Sequence, residues 1–156
     1  MRKIHFCIIF LSIVLAIPMC AAASSKSETK INWSSYADAQ KGDHNGRKYF
    51  IYFYSERCGY CKMLETKTFS NAAVVDYINA NYTPVRVNIE KEVKIASRFQ
   101  VYTIPDLRFL TPEGDSIARW PGYLESDRLL VLLRYISTDS YKNMGFSDFV
   151  KGQKQE

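Results

Sequence analysis

The chain has 156 residues, and its 21 Lys and Arg exceed its 16 Asp and Glu to give a formal net charge of +5 at pH 7. This length fits one ordinary domain rather than several. Because the basic residues do not form a cluster interleaved with aromatic side chains, the small positive charge does not indicate a nucleic-acid-binding protein.

The first 23 residues have the layout of a secretory signal peptide. Two basic residues precede an uncharged apolar stretch over 6–17, and three alanines follow at 21–23. The apolar stretch is shorter than the roughly 20 residues that span a bilayer. We therefore predict cleavage after Ala23, no stable membrane anchor, and export to the periplasm or, alternatively, secretion. A lipid anchor on Cys20 is a further alternative, although Met19 is bulky where such signals prefer a small residue.

Cleavage after Ala23 changes how the four cysteines are interpreted. It removes Cys7 and Cys20 and leaves Cys58 and Cys61 in the exported chain. Residues 24–32 are then predicted to be a flexible lead-in, because the run that follows Ala23 is polar and small.

The hydrophobic pattern after residue 32 predicts one α/β domain over residues 33–137. The run 49–54 is rich in aromatic and β-branched residues, which is typical of a strand buried on both faces. The order of elements implies a central mixed sheet flanked by helices, and the apolar tail 138–156 is predicted to pack as a small helical extension. The predicted elements are helix 33–40, strand 49–54, a helix from the cysteines to 68, helix 70–78, strand 83–89, helix 92–99, hairpin strands 107–110 and 116–120, and helix 125–136.

Cys58 and Cys61 lie where strand 49–54 gives way to a helical pattern, and we predict that they are the reaction centre. A purely structural disulfide between them would close a very short loop and constrain little unfolded-state entropy. A zinc site usually has four ligands, and His44 is the one histidine that cleavage leaves beside the two thiols. Haem attachment would need a histidine after the second cysteine, where the chain has Lys62. We therefore expect no metal, and no cofactor other than a redox-active disulfide.

The sequence around the cysteines resembles the thioredoxin superfamily, over about residues 33–136. The resemblance rests on Cys58-Gly59-Tyr60-Cys61 after the first long strand, on the strand 85–90, on the loop 101–105 that ends in Pro105, and on the hairpin turn at 113–114 and the glycine at 122. The sequence is similar to SoxW-type periplasmic thioredoxins and to the periplasmic thioredoxin-like domain of the transmembrane disulfide reductant. The Gly59-Tyr60 pair is similar to that of the periplasmic disulfide isomerase.

Two thiols at this spacing suit thiol–disulfide exchange, which needs a thiolate nucleophile and a second thiol that resolves the mixed disulfide. At a helix start, Cys58 meets unsatisfied backbone amides and the positive end of the helix dipole, which favours its thiolate. Cys61 lies deeper, so Cys58 is predicted to attack and Cys61 to resolve. Arg57 adds a positive charge beside the nucleophile, unless it is an uncoupled surface side chain.

The resemblance also implies roles for residues outside the cysteine pair. A cis peptide bond before Pro105 would place Ile104 beside Cys58, where it can pair with an extended substrate strand; an ordinary trans proline is the alternative. Tyr52 stands where thioredoxins keep a buried carboxylate that aids proton transfer. Glu65 is predicted to take part of that role, as in the reductant-domain relatives, or else to be a solvated carboxylate.

Tyr60 and Asp106 complete the predicted surroundings of the site. Tyr60 is predicted to be an exposed apolar contact for partners, unless it packs against the protein. Asp106 replaces the threonine that is common in thioredoxins, so that substrate preference is expected to differ.

These features imply an exported thiol–disulfide oxidoreductase that reduces, or relays electrons to, disulfides of other exported proteins. An upstream membrane or soluble redox partner would recharge the pair. The alternatives are a disulfide isomerase or oxidase, and a non-catalytic module that holds extended peptides while the cysteines stay locked. We expect a monomer that binds exported proteins with disulfides or thiols and does not bind nucleic acid.

Overall fold

The computed structural model describes residues 30–42 and 46–153. The predicted signal peptide and His44 lie outside these residues. Within them, no helix is both long and apolar enough to cross a membrane.

A four-stranded mixed sheet forms the centre of the fold, in the order β2-β1-β3-β4. β1 pairs in parallel with β2 and antiparallel with β3, and β4 is antiparallel to β3. The backbone of Ser34 extends the outer edge of β2 by two hydrogen bonds, to Pro84 at 3.0 Å and from Arg86 at 3.1 Å. The strands are β1 (Lys48–Tyr54), β2 (Tyr82–Asn88), β3 (Asp106–Leu110) and β4 (Ser116–Pro121).

Helices cover both faces of this sheet, which confirms the α/β fold class expected from the sequence. α1 begins after Ser35, whose side chain accepts the backbone N–H of Asp38 at 3.1 Å, and α3 begins after Asn71, which caps it in the same way. The helices are α1 (Tyr36–Lys41), α2 (Gly59–Met63), α3 (Ala72–Asn81), α4 (Val93–Arg98), α5 (Ser126–Ser137) and α6 (Phe146–Gln153), with a π-helical turn at Leu64–Thr68 and a 3₁₀ turn at Ser140–Lys142.

The alternation of side chains along β1 divides the core in two. Phe50 and Tyr52 belong to the larger core, which also contains buried residues of α2, α3 and α5. Ile51 and Phe53 belong to the smaller core, which α1 and α4 cover. Because both faces are covered, β1 is a central strand that is buried over residues 49–53, as its sequence predicts.

The C-terminal tail packs as a helical extension, as predicted. Phe146 and Phe149 of α6 each lie 5.3 Å, between ring centroids, from Tyr135 of α5. Phe146 also contacts Trp120 of β4. The hydroxyl of Tyr135 donates to the carbonyl of Met144 at 2.6 Å, which fixes the turn between the two helices.

The flexible lead-in predicted over residues 24–32 is wrong at its C-terminal end. Ile31 is only 6% exposed and belongs to the larger core. The backbone N–H of Asn32 donates to Asn79 Oδ1 at 2.9 Å, and Trp33 packs against Phe69. The polar sequence before Ile31 gives no sign of these contacts, because their partners lie more than 30 residues further along the chain. Residues 24–29 are outside the described part of the chain.

Candidate active site

The two cysteines lie at the junction between β1 and α2. Cys58 is the residue before the first turn of α2, and its backbone is extended, with φ −84° and ψ 113°. Its sulfur accepts the backbone N–H of Cys61 at 3.1 Å and forms a disulfide with the Cys61 sulfur. Cys58 is partly exposed, whereas Cys61 is 1% exposed. A substrate can therefore reach the Cys58 sulfur more readily than the Cys61 sulfur.

The loop before β3 brings backbone groups to the exposed sulfur. The peptide bond between Ile104 and Pro105 is cis, and the carbonyl oxygen of Ile104 lies 3.9 Å from the Cys58 sulfur. The carbonyl of Pro105 accepts the N–H of Gly122 at 2.7 Å. Gly122 has φ +93°, a conformation that a residue with a side chain rarely adopts. This glycine thus allows the end of β4 to hold the Pro105 loop in place.

A hydrogen-bonded chain leads from Tyr52, beside the buried cysteine, towards solvent. The hydroxyl of Tyr52 lies 3.4 Å from the carbonyl oxygen of Cys61 and donates to Glu65 Oε1 at 3.1 Å. The same Glu65 oxygen accepts from Arg86 Nη2 at 2.7 Å. The guanidinium of Arg86 lies over the ring of Tyr54, with 3.9 Å between its central carbon and the ring centroid. Glu65 therefore contacts the site through Tyr52, and Arg86 holds it in that position.

Burial keeps the Tyr52 hydroxyl protonated. Tyr52 is fully buried, and desolvation, followed by the neighbouring Glu65 carboxylate, raises its pKa above the usual range of tyrosine. The hydroxyl therefore remains a hydrogen-bond donor at neutral and moderately alkaline pH.

Glu65 and Arg86 lie between two open clefts. One cleft of about 200 Å³ lies on the side of the cysteine-bearing loop, and another of about 340 Å³ lies on the side of Trp33. The side chains of Glu65 and Arg86 are 34% and 35% exposed. Water can thus reach the carboxylate that contacts Tyr52. The first cleft is lined by Tyr54, Ser55, Glu56, Lys62, Glu65 and Arg86.

The remaining predicted site residues lie on the exposed side of the disulfide. The guanidinium of Arg57 pairs with Glu90 Oε1, 3.0 Å from Nη2, rather than remaining an unpaired charge. Gly59 has open space around it, and Tyr60 is 63% exposed. Sequence reasoning missed Tyr102, which precedes Ile104 by two residues and is 84% exposed. The signal that could have identified Tyr102 is its place in the loop 101–105, which resembles the proline loop of thioredoxins.

Sequence reasoning also missed a buried ion-pair cluster directly after Pro105. Asp106 is 0% exposed, and its carboxylate accepts from Arg108 Nε at 2.9 Å and from Arg119 Nε at 3.0 Å. Arg108 also donates to the carbonyl of Phe99, at the end of α4, at 2.9 Å. The cluster therefore joins β3, β4 and α4 behind the Pro105 loop. The available signal was the alternation of charges at positions 106 and 108 in a strand.

Within residues 30–42 and 46–153, the structure has no group of three or more His, Cys, Asp or Glu side chains that could hold a metal ion.

Comparison with known proteins assigns this chain to a family. The fold and the paired cysteines define a thioredoxin-fold redox protein. Residues 36–137, more than half of the chain, match the thioredoxin-like domain family. The chain belongs to that family.

Several solved structures resemble this one. A thioredoxin from Thermus thermophilus has a TM-score of 0.62 and 26% sequence identity, over 69% of this chain and 87% of that one. A thioredoxin-fold protein from Helicobacter pylori has a TM-score of 0.61 and 20% identity, over 73% and 84% of the two chains. The DsbH oxidoreductase has a TM-score of 0.56 and 15% identity, over 71% and 86%. The last two resemble this chain in fold.

One curated relative is an uncharacterized protein of Archaeoglobus fulgidus. It is 26% identical over 83 residues, which are 53% of this chain. The match spans 65% of the length of that relative.

The buried carboxylate after Pro105 yields a prediction about stability. We expect Asp106→Ala to lower the free energy of unfolding by about 3 kcal/mol, because it leaves two arginines without their shared partner and one of them, Arg108, is largely buried. Urea denaturation of the purified variant measures this change. Glu56→Ala is the matched control, because it breaks an exposed ion pair with Lys91 and is expected to cost much less. Equal losses in the two variants would contradict the prediction.

Proposed function

We propose that this chain is an exported thiol–disulfide oxidoreductase that reduces, or relays electrons to, disulfides of other exported proteins. The observation that carries the proposal is the difference in exposure between the two sulfurs at the start of α2. Cys58 is open to a partner, and Cys61 is buried directly behind it. The membership in the thioredoxin-like domain family supports the same activity.

The cycle uses the two cysteines in sequence. In the dithiol form, the Cys58 thiolate attacks one sulfur of a substrate disulfide, forms a mixed disulfide and releases the other substrate sulfur as a thiolate. Cys61 then loses its proton and attacks the Cys58 sulfur, which restores the Cys58–Cys61 disulfide and releases the second substrate thiolate. Two electrons pass from this protein to the substrate. A membrane or soluble redox partner must return two electrons and two protons before the next cycle.

Backbone contacts beside Cys58 favour the attack. The N–H of Cys61 donates to the Cys58 sulfur, and a hydrogen bond to a thiolate favours the charged form. The Ile104 carbonyl, 3.9 Å from that sulfur, offers an acceptor to the backbone of an extended substrate segment. Tyr60, two residues after Cys58, and Tyr102, two residues before Ile104, are both exposed. Their rings are suited to apolar contacts with such a segment.

The Tyr52–Glu65 pair is the proposed proton route of the second step. The carboxylate of Glu65 is reached by water from two clefts and accepts a hydrogen bond from Tyr52, whose hydroxyl also lies near the Cys61 backbone. These contacts reach the Cys61 backbone rather than its sulfur, so the proton that Cys61 loses would pass to the Glu65 carboxylate through water from the cleft and then to solvent. This assigns to Glu65 the role that a buried carboxylate has in common thioredoxins.

We also propose that the protein is exported and that it is related to particular periplasmic thioredoxin-like proteins. The pattern of residues 1–23 supports cleavage of a signal peptide and a periplasmic or secreted location. The sequence 61–70 supports a place among proteins similar to SoxW-type periplasmic thioredoxins and to the reductant domain, and the apolar tail supports the first of these two groups. A monomer is proposed, with exported proteins as substrates.

We expect the purified chain to accelerate the reduction of insulin disulfides with dithiothreitol as the electron source. Cys58→Ser removes the attacking sulfur, so its rate is expected to fall to the background rate of dithiothreitol alone. The increase in turbidity as the insulin chains separate measures the rate.

The direction of electron flow is tested by a separate measurement, the reduction potential of the cysteine pair. Equilibration of the Cys58–Cys61 pair with glutathione is expected to give a reduction potential nearer to about −270 mV than to about −120 mV, which are typical of a reductant and of an oxidant. A potential near the second value would favour the oxidase alternative. If the chain neither reduces nor oxidises a disulfide, the peptide-binding module takes the place of the enzyme.

Cys61→Ser is expected to trap substrates. This variant can attack through Cys58, but it lacks the thiol that resolves the mixed disulfide, so covalent complexes accumulate. Non-reducing electrophoresis and mass spectrometry of the exported fraction detect them. The double variant Cys58→Ser/Cys61→Ser is the matched control and is expected to trap nothing. Equal numbers of complexes in both variants would count against Cys58 as the attacking residue.

Glu65→Gln tests the proton route. Removal of a negative charge near Cys61 is expected to shift the midpoint of Cys58 alkylation to lower pH by about half a unit. Turnover is expected to slow as well, because the proton acceptor is lost. Tyr52→Phe keeps the charge but removes the hydroxyl, so it is expected to slow turnover with a smaller shift of the midpoint. An unchanged alkylation profile in Glu65→Gln would remove Glu65 from the mechanism.

A further inference from the structure

Glu90 faces the segment that carries the attacking cysteine. β1 and β2 are parallel neighbours, and Tyr54 and Asn88 are their last paired residues. The loops that follow the two strands therefore leave the same edge of the sheet. Glu90 in the second loop lies beside Arg57 in the first, one residue before Cys58.

One oxygen of Glu90 organises this segment. It accepts from Arg57 Nη2 at 3.0 Å, from Arg57 Nε at 3.3 Å and from the Ser55 hydroxyl at 2.8 Å. The Ser55 hydroxyl also accepts the backbone N–H of Arg57 at 3.1 Å, and the Ser55 carbonyl accepts the N–H of Cys58 at 3.2 Å. Glu90 therefore offsets the charge of Arg57 and, through Ser55, is connected to the backbone that leads to Cys58.

Glu90 is itself held in place and charged. Its backbone N–H donates to Asn88 Oδ1 at 2.9 Å, and Asn88 is buried. Hydrogen bonds from Ser55 and then from Arg57 lower the pKa of Glu90 below its ordinary value. The ion pair with Arg57 thus persists at neutral and mildly acidic pH.

Several other carboxylates on the elements around Cys58 already have cationic partners. Two of those groups are close to neutral, and the third, in which one carboxylate meets two arginines, carries a net charge of +1. A change in the balance between Arg57 and Glu90 therefore changes the charge near Cys58. The pairs are Glu56 with Lys91, Glu65 with Arg86, and Asp106 with Arg108 and Arg119; Lys62 is exposed on α2, and Tyr52, Tyr60 and Tyr102 are further titratable side chains on β1, α2 and the Pro105 loop.

We infer that Glu90 is a positioning residue of the redox site, which offsets the charge of Arg57 and so limits how readily Cys58 loses its proton. This inference rests on the proposed function, in which Cys58 is the attacking thiol. An arginine alone would stabilise the thiolate, whereas an arginine paired with a carboxylate presents little net charge. Arg57 and Glu90 together therefore determine how readily Cys58 loses its proton and reacts.

The test is a double-mutant cycle on the reduced full chain, with the rate of Cys58 alkylation by iodoacetamide measured against pH. Glu90→Gln keeps an oxygen that can accept from Ser55 and removes the negative charge. The rate of Cys58 alkylation at pH values below the midpoint of its pH profile is therefore expected to rise about threefold. Arg57→Gln leaves Glu90 uncompensated, so the rate is expected to fall by a similar factor. The double variant is expected to return close to the parent.

Salt dependence and a remote control separate this effect from a purely structural one. The side chains of Arg57 and Glu90 are 84% and 40% exposed, so the shifts are expected to shrink at high ionic strength. Asp148→Asn makes the same change of charge in the exposed pair with Lys151 on α6. It is expected to leave the alkylation profile unchanged.

An unchanged or slower rate in Glu90→Gln would overturn the inference, and so would a double variant that differs from the parent as much as either single variant does. These outcomes are distinct from failure of the proposed function, because alkylation is measured without any substrate disulfide. A parent that lacks disulfide turnover overturns the proposed function, while its alkylation profile still reports on Glu90.

Discussion

The burial of β1 on both faces is the constraint on which the rest of the structure depends. Four consecutive residues, Phe50 to Phe53, are 0% exposed, and β2 and β3 hydrogen-bond to the two edges of the strand. A shift of one residue would exchange the two faces and place each side chain in the wrong core. The end of β1 is therefore fixed in space, and with it the point at which the chain turns into α2 at Cys58.

The charged groups around the site differ in burial, and this difference divides their roles. Asp106 is wholly buried between two arginines, so it contributes to the placement of the Pro105 loop and is costly to remove. The Arg57 side chain is largely in solvent and that of Glu90 is 40% exposed, and an exposed ion pair contributes little to stability. Such a pair can vary in charge without loss of the fold. The Glu65 pair with Arg86 lies between these limits and links a buried hydroxyl to water.

The features that the sequence predicts well are local ones. The aromatic run of β1, the turn residues of the hairpin and the apolar spacing of α5 each specify an element within a few residues, so the α/β class and the place of the cysteines follow from pattern. The position of Glu65, one turn after Cys61, predicts its place beside the site. Because the helical segment that carries Cys61 and Glu65 packs on β1, Glu65 can reach Tyr52 of that strand.

The features that the sequence does not predict depend on how distant elements align. Arg119 meets Asp106 only in one register of β3 and β4, and that register shifts between Phe109 and Leu110. Arg57 lies close to Glu90 because the parallel strands β1 and β2 end at the same edge of the sheet, so that the loops after them are neighbours. The burial of Ile31 likewise requires the assembled core.

The π-helical turn after α2 limits whether residues can be inserted or deleted in this part of the chain. The N–H of Phe69 bonds to the carbonyl of Leu64, five residues back, at 2.9 Å, so this turn holds one residue more than an α-helical turn. Each residue rotates a helix by about 100°. The extra residue thus sets the angle between Cys61 and the buried pair of Thr68 and Phe69. Substitutions at exposed positions here preserve that angle, whereas a one-residue insertion or deletion would turn either the cysteines or Phe69 away from the core.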